Sequence, residues 1–92
     1  MIEYLYNAIR VNSGEDVNIS ASVVDTEVEG DCYIRLMDEK RNEIFKDKGT
    51  FLENYYIFII PELITKELHG RYFYMFEDDN RSLSFPQAIY FE

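Results

Sequence analysis

Short β-forming segments, separated by turn signals at intervals of roughly 8–12 residues, constrain the fold of this chain more than any other feature. In the clearest segment, residues 17–23, apolar and polar residues alternate, as they do in a strand with one buried face. Six further segments have a similar character: residues 2–11, 32–37, 44–45, 55–60, 71–76 and 82–91. Together these seven segments predict an all-β sandwich or barrel.

The one helical pattern in the chain is too short to form a packing layer. Residues 61–68 are typical of one or two helical turns, with Pro61 at the first helical position and Gly70 as the stop. Residues 78–81 predict a hairpin turn, and Pro86 predicts a bend or bulge in the last strand. The helical turns are therefore expected to connect two strands.

Length and composition predict a single domain over residues 1–92. Ninety-two residues support one hydrophobic core, and 47% of them are hydrophobic, including eight tyrosines and seven phenylalanines. A disordered acidic chain would carry far fewer aromatic residues. No apolar run reaches the length of a membrane span, and the chain starts in strand-like sequence without the features of a signal peptide. Synthesis in the cytoplasm is therefore expected.

The charge of the chain argues against two classes of partner. Eighteen acidic residues against nine basic ones give a net charge of −9, which repels both phosphate backbones and anionic membranes. Direct binding to nucleic acid or to a membrane is therefore not expected. The excess of acid either keeps the surface soluble or attracts a basic protein partner.

The residue inventory argues against an enzyme. His69 is the single histidine, and it lies in a turn where an exposed, unliganded side chain is expected. Cys32 is the single cysteine, and its place at the head of an apolar alternation predicts a buried, inert thiol. The sequence contains neither a phosphate-binding glycine loop nor a metal-binding motif. We expect no catalytic residues, no cofactor, no metal and no small-molecule substrate.

One segment resembles the E–F corner of immunoglobulin domains. Phe58-x-Ile60 is followed by the turn that carries Leu63 and then by Gly70-x-Tyr72-x-Tyr74. The resemblance implies an immunoglobulin-like antiparallel β-sandwich of about seven strands, with a short helical turn between strands E and F. It also implies that Tyr72 is buried, with its hydroxyl bonded to main chain near residues 63–69, and that Tyr74 stands where the family has a disulfide cysteine. Both disulfide cysteines and the tryptophan of strand C are lacking, so the resemblance is to the fold in its broad sense.

An immunoglobulin-like topology brings two acidic loops to the same end of the sandwich. We call this group the acidic pole: Asp25, Glu27, Glu29, Asp31, Glu77, Asp78 and Asp79. Such a cluster has enough oxygen atoms to coordinate calcium, but its residues do not have the spacing of an EF-hand. We expect a solvated tip of mutually repelling carboxylates without a tight calcium site.

The same topology predicts an apolar patch on the outer face of two neighbouring strands, residues 32–37 (strand C) and residues 71–76 (strand F). The outward side chains would include Arg35 and Arg71, and also four apolar ones, here called the C–F face: Tyr33, Met37, Phe73 and Met75. Exposed apolar side chains of this number mark association surfaces. Alternatively, the stems of flanking Arg and Lys residues, or the chain termini, cover the patch.

The chain as a whole, acidic, aromatic-rich and no larger than one sandwich, resembles short proteins encoded among the virion genes of tailed bacteriophages. The resemblance implies a structural part of a tail, baseplate or capsid that packs against copies of itself or against a neighbouring protein. The alternative function is an acidic inhibitor whose carboxylate-rich pole occupies a basic groove on a host defence or nucleic-acid enzyme. The first function depends on the C–F face, and the second depends on the acidic pole.

Overall fold

The computed structural model describes residues 2–4, 10–24 and 27–92, which form nine strands and one short helix. The alternating apolar residues and the turn signals between them account for most of these elements. In chain order they are β1 (Ile2–Tyr4), β2 (Arg10–Val11), β3 (Val17–Val23), β4 (Tyr33–Met37), β5 (Glu43–Lys48), β6 (Thr50–Leu52), β7 (Tyr55–Ile60), α1 (Glu62–Thr65), β8 (Gly70–Glu77) and β9 (Gln87–Phe91).

The strands form two sheets that enclose one hydrophobic core. The first sheet has the order β1-β3-β7-β6, and the second has the order β2-β9-β8-β4-β5. In the lettering of immunoglobulin-like sandwiches the first order is A-B-E-D, and the three central strands of the second sheet, β9-β8-β4, are G-F-C, with β2 and β5 at its two edges. The predicted fold class, an all-β sandwich with a short helical turn between strands E and F, is confirmed.

The described residues form more strands than expected because two segments change sheets. Residues 2–11, expected as one strand, supply β1 to the first sheet and β2 to the second, with residues 5–9 outside the described part of the chain. β2 pairs with β9 in parallel, unlike the other described strand pairs. The chain also passes from β5 to β6, and hence from one sheet to the other, at Gly49.

The last strand is shorter than the expected segment 82–91. Ser82 makes one isolated bridge to Glu77, and β9 begins only at Gln87, directly after Pro86. Proline cannot donate a hydrogen bond to a neighbouring strand, so regular pairing starts after it. The predicted bend at Pro86 is in fact a loop that precedes the strand.

The core consists of the inward side chains of both sheets. β3 and β7 contribute from one side, and β4, β8 and β9 contribute from the other. The buried apolar residues on these strands include Val17, Ile19, Ala21, Ile34, Leu36, Phe58, Ile60, Tyr74, Phe76, Ile89 and Phe91. The rings of Phe58 and Phe76 meet across the two sheets, with centroids 4.9 Å apart.

The connection between β7 and β8 is fastened by Thr65 and not by Tyr72. Tyr72 is only half-buried, its ring packs edge-on against Phe91 at 5.6 Å, and its hydroxyl makes no hydrogen bond to main chain at residues 63–69. The prediction for the Tyr72 hydroxyl was therefore wrong. Gly70 does end the connection, in the left-handed region at φ +93°, and Pro61 lies at the N-cap of α1, one residue earlier than expected.

Thr65 ties this connection to the turn before β3. Its side chain is fully buried, its Oγ1 donates to the carbonyl oxygen of Glu15 at 2.7 Å, and it accepts from the Gly14 N–H at 3.1 Å. The Glu62 N–H donates to Asp16 Oδ1 at 2.8 Å, and the Ser13 hydroxyl donates to the Leu68 carbonyl oxygen. Hydrogen bonds between this connection and the turn at residues 13–16 therefore fasten the β7–β8 corner, the role that the sequence analysis gave to Tyr72.

We expect Thr65→Val to lower the free energy of unfolding by about 1–2 kcal/mol, because a methyl group in place of the hydroxyl removes the partner of the Gly14 N–H and of the Glu15 C=O, whose hydrogen bonds to Thr65 are partly buried. Tyr72→Phe, at the same corner, is the control and should change the free energy of unfolding by less than about 0.5 kcal/mol. Urea denaturation of both variants measures the difference. A larger loss of unfolding free energy for Tyr72→Phe than for Thr65→Val would show that the Tyr72 hydroxyl does hold this connection.

Candidate functional site

The two acidic loops lie together at one end of the sandwich, as expected from the topology. The main-chain N–H of Asp79 donates to the Glu29 carbonyl oxygen at 3.1 Å, and the N–H of Asp31 donates to Asp79 Oδ2 at 3.3 Å. Asn80 Nδ2 donates to Glu29 Oε2 at 2.6 Å. Glu27, Glu29, Asp31 and Asp79 are exposed there, and Asp25 lies outside the described residues.

Asp78 contributes to this end of the molecule as a structural residue. Its side chain has no exposed surface, and it accepts hydrogen bonds from the main-chain N–H groups of Glu29 at 3.0 Å, Asn80 at 2.8 Å and Arg81 at 2.9 Å. Burial by itself raises the pKa of Asp78, but these three N–H groups and the nearby Arg81 guanidinium lower the pKa below its usual value. The expectation of a solvated, repelling tip is therefore wrong for Asp78.

Glu77 also departs from the expected acidic pole. It is buried on the outer face of the second sheet, where its Oε1 lies 2.8 Å from both Arg35 Nη2 and Lys46 Nζ. In β8 it is the residue paired with Tyr33 of β4, so its side chain belongs to the sheet face and not to the loop. Among the described residues no group of three or more possible ligands is arranged to hold a metal ion. The lack of a tight calcium site stays a prediction.

The C–F face is not the exposed apolar patch that was expected. Register places Met37 opposite Phe73, and Arg35 opposite Met75, across the β4–β8 pair. Met37 is only 4% exposed, after an irregularity between Leu36 and Met37 in the pairing with β5. Tyr33, Phe73 and Met75 are half-buried.

Cationic side chains cover the aromatic rings of this face. The Arg41 guanidinium carbon lies 4.2 Å from the centre of the Phe73 ring, with the Arg71 guanidinium carbon 5.3 Å from the same ring. Lys46 Nζ lies 4.7 Å from the centre of the Tyr33 ring. This is the alternative arrangement, in which Arg and Lys stems cover the apolar residues.

A row of apolar residues with two exposed members lies instead on the outer face of the first sheet. Register places Leu52 of β6 opposite Tyr55 of β7, and pairs Ile57 and Ile59 of β7 with polar residues of β3. Leu52 is 49% exposed and Ile59 is 45% exposed, whereas Tyr55 and Ile57 are half-buried. We call this row the β6–β7 face: Leu52, Tyr55, Ile57 and Ile59.

A signal for this face is present in the sequence. Residues 55–60 are an uninterrupted apolar run, which is the pattern of a strand buried on both faces. In the structure only Phe58 and Ile60 are fully buried, with Tyr56 partly buried beside them. An antiparallel strand with one solvent face should alternate, so apolar residues at both sets of positions indicate a second buried surface.

Cys32 and His69 are the single cysteine and the single histidine of the chain. Burial, with Asp78 nearby, raises the pKa of the Cys32 thiol to about 12, which disfavours the thiolate form. His69 is exposed as expected, with Nδ1 lying 3.3 Å from Ser13 Oγ. Within the described ranges no helix is long and apolar enough to cross a membrane.

No protein-family model matches the chain, and no curated protein matches its sequence.

Proposed function

We propose that this protein is a non-catalytic association module that binds protein through the β6–β7 face. The observation that carries the proposal is the row of four apolar side chains on one sheet face of an acidic molecule, with Leu52 and Ile59 about half exposed. Branched and aromatic side chains in one row are typical of the centre of an interface. The proposal requires neither a cofactor nor a small-molecule substrate.

The residues around the β6–β7 face support a specific protein contact rather than non-specific hydrophobic association. β3 borders the row with Asn18 and Ser20, which pair with Ile59 and Ile57 respectively. An apolar centre with a polar border is the usual anatomy of a protein interface. Burying such side chains contributes on the order of 1.5–3 kcal/mol for each that becomes fully covered, before the cost of association.

The proposed role is a structural one in an assembly. The resemblance of the whole chain to small virion proteins of tailed bacteriophages supports this role, since such proteins work by packing against copies and neighbours. The proposed interface is the β6–β7 face and not the C–F face, because Arg41, Arg71 and Lys46 cover the aromatic rings of the C–F face.

The alternative, an acidic inhibitor, has weaker support. Two of its seven carboxylates are already engaged inside the molecule, because Asp78 binds main-chain N–H groups and Glu77 binds Arg35 and Lys46. A competitor for a basic groove needs those charges free to face its target.

We expect Ile59→Lys to weaken association at least tenfold, because it places a charge at an apolar contact. Phe85→Lys is the matched control: Phe85 is 91% exposed and precedes β9 of the other sheet, so an apolar side chain is exchanged for lysine away from the face. Sedimentation velocity over a concentration series measures self-association, and affinity capture compares the variants as baits for other proteins. Thermal unfolding confirms that both variants remain folded.

Salt separates the two functions. Association through an apolar face persists at high ionic strength, whereas binding through the acidic pole weakens as salt rises. Equal effects of Ile59→Lys and Phe85→Lys, or binding that disappears in high salt, would contradict the proposed face.

A further inference from the structure

The three-residue strand β6 forms an edge of the first sheet and carries none of the charges or prolines that commonly block pairing with another strand. Within the described part of the chain β7 is the sole neighbour of β6, and all three β6 residues are exposed. Phe51 is 59% exposed and Leu52 is 49% exposed, and neither charge nor proline interrupts residues 50–52. Natural edges are normally blocked by charges, prolines or bulges, because an open edge is a template for a further strand.

The neighbouring edge provides the contrast. β5 is the edge strand of the second sheet, and four of its six residues are charged: Glu43, Lys46, Asp47 and Lys48. β5 and β6 are separated by Gly49 alone, yet β5 is rich in charged residues and β6 has none. β6 therefore has the character of a pairing edge, and β5 has the character of a protected one.

We propose that β6 pairs with β6 of a second copy of this chain, in antiparallel orientation about a two-fold axis at Phe51. The two four-stranded sheets then become one continuous sheet across the dimer. This inference goes beyond the proposed function, because it uses the edge of the sheet and not its face, and it names a second copy as the partner. A two-fold axis makes the contact self-complementary and closed, which limits it to two copies.

Charge complementarity selects this arrangement. With Phe51 opposite the partner's Phe51, Thr50 lies opposite the partner's Leu52. Lys48 precedes the strand and Glu53 follows it, so Lys48 of one copy and Glu53 of the partner lie at the same end of the paired strands, and this proximity of opposite charges occurs twice by symmetry. A parallel pairing would instead bring the two Glu53 carboxylates together, which costs free energy.

The same edge is where two copies approach with the least repulsion. The chain has a net charge of −9, so contact at most other surfaces brings like charges together. Across residues 48–53 the single lysine and the single glutamate balance. Lys48 is 60% exposed, and its one ion pair is long, at 3.9 Å from Asp31 Oδ1, so it remains able to meet another carboxylate.

The side chains of β6 gain cover on both faces of the extended sheet. On the outer face, Leu52 of each copy joins the two β6–β7 faces into one apolar surface. On the inner face, Phe51 packs on Tyr56 with ring centroids 4.9 Å apart. Phe51 also lines two clefts, of about 530 and 460 Å³, one of which includes Cys32 and the other Val28. Paired Phe51 rings would cover the openings of these clefts and lose their exposure to water.

Reversing each charge of the proposed pair provides the test. Lys48→Glu places two glutamates together at each end of the dimer, and Glu53→Lys places two lysines together. We expect each variant alone to dimerise about tenfold more weakly than the wild type, since two pairs change sign. An equimolar mixture of the two variants should recover dimerisation as a heterodimer, because both contacts are then between opposite charges.

Sedimentation velocity measures the masses, and native mass spectrometry distinguishes the heterodimer from the two homodimers. Thermal unfolding at low protein concentration establishes that each variant folds as a monomer. Hydrogen exchange at residues 50–52 should slow as the wild type dimerises, because free edge amides become paired. A chain that is monomeric at every concentration, or a dimer indifferent to both reversals, overturns the inference.

These outcomes are separate from those of the proposed function. If the wild type is monomeric while Ile59→Lys still weakens its binding to another protein, the β6 dimer is wrong and the face stands. If the mixture of charge variants forms heterodimers while Ile59→Lys changes no interaction, the β6 pairing stands and the face is wrong.

Discussion

Replacing Asp78 by alanine should lower the free energy of unfolding by about 3 kcal/mol, although Asp78 lies in a loop that is rich in exposed acids. The change removes the acceptor for the main-chain N–H groups of Glu29, Asn80 and Arg81, and it leaves the Arg81 guanidinium without its carboxylate at 3.6 Å. Donors that lose a buried, charged acceptor carry the full cost of their lost solvation. Chemical denaturation of the variant measures the loss.

Asp79→Ala is the matched control. Asp79 is the next residue, it is exposed, and its carboxylate accepts one main-chain hydrogen bond, from Asp31 at 3.3 Å. Its removal should cost less than about 1 kcal/mol. Equal losses at both positions would mean that general loop disruption, and not the Asp78 bonds, determines stability.

The pH dependence of stability provides a second readout for Asp78. Its pKa in the folded protein is below the usual value of 3.8. The carboxylate therefore contributes its full stabilisation at pH values above the pKa that Asp78 has in the unfolded chain. This contribution is lost as the pH falls from about 4 through the lowered pKa. Asp78→Asn should flatten this part of the stability profile. Part of the slope should remain, because hydrogen bonds from Asn42 and Lys40 lower the pKa of Asp38.

The fold could be predicted from the sequence where one strand carries its own pattern. β3 alternates clearly, and its inward residues Val17, Ile19 and Ala21 are buried as expected, as are Ile34 and Leu36 of β4. The strand changes could not be predicted, because the run over residues 2–11 has the same apolar character in both of its halves. Which sheet each half joins is decided by partners far along the chain, Val23 for β1 and Phe91 for β2.

The candidate surfaces could be predicted less well because side-chain partners decide exposure. The loops of the acidic pole lie close together, as the topology required, but nothing in a run of acids indicates that Asp78 faces inward. Phe73 was expected to face water, and it lies under Arg41, which the turn between β4 and β5 places above it. Arg41 has a φ of 68°, a left-handed conformation that favours glycine or asparagine and that the sequence does not indicate.

Phe58→Ala should be the most damaging single change, with a loss of about 3–5 kcal/mol in the free energy of unfolding. Phe58 is 1% exposed and joins the two sheets through its contact with Phe76. Deleting the ring removes buried apolar area and leaves a cavity. The strands around this cavity are held in place by their backbone hydrogen bonds, so they close it only in part. Ile59→Ala, on the same strand but facing outward, is the control and should cost less than about 1 kcal/mol.

Gly49 determines how tightly the Phe58 ring is held. A Cβ atom at Gly49 would lie 2.5 Å from Cε1 of Phe58, so Gly49→Ala forces the ring against its core neighbours and should cost about 1–3 kcal/mol. In the Phe58→Ala background that clash is absent, and the added methyl group fills part of the cavity. The double variant should therefore lose less stability than the two single losses together. Additive losses would show that Gly49 is required for the passage of the chain between the sheets and not for the space that Phe58 occupies.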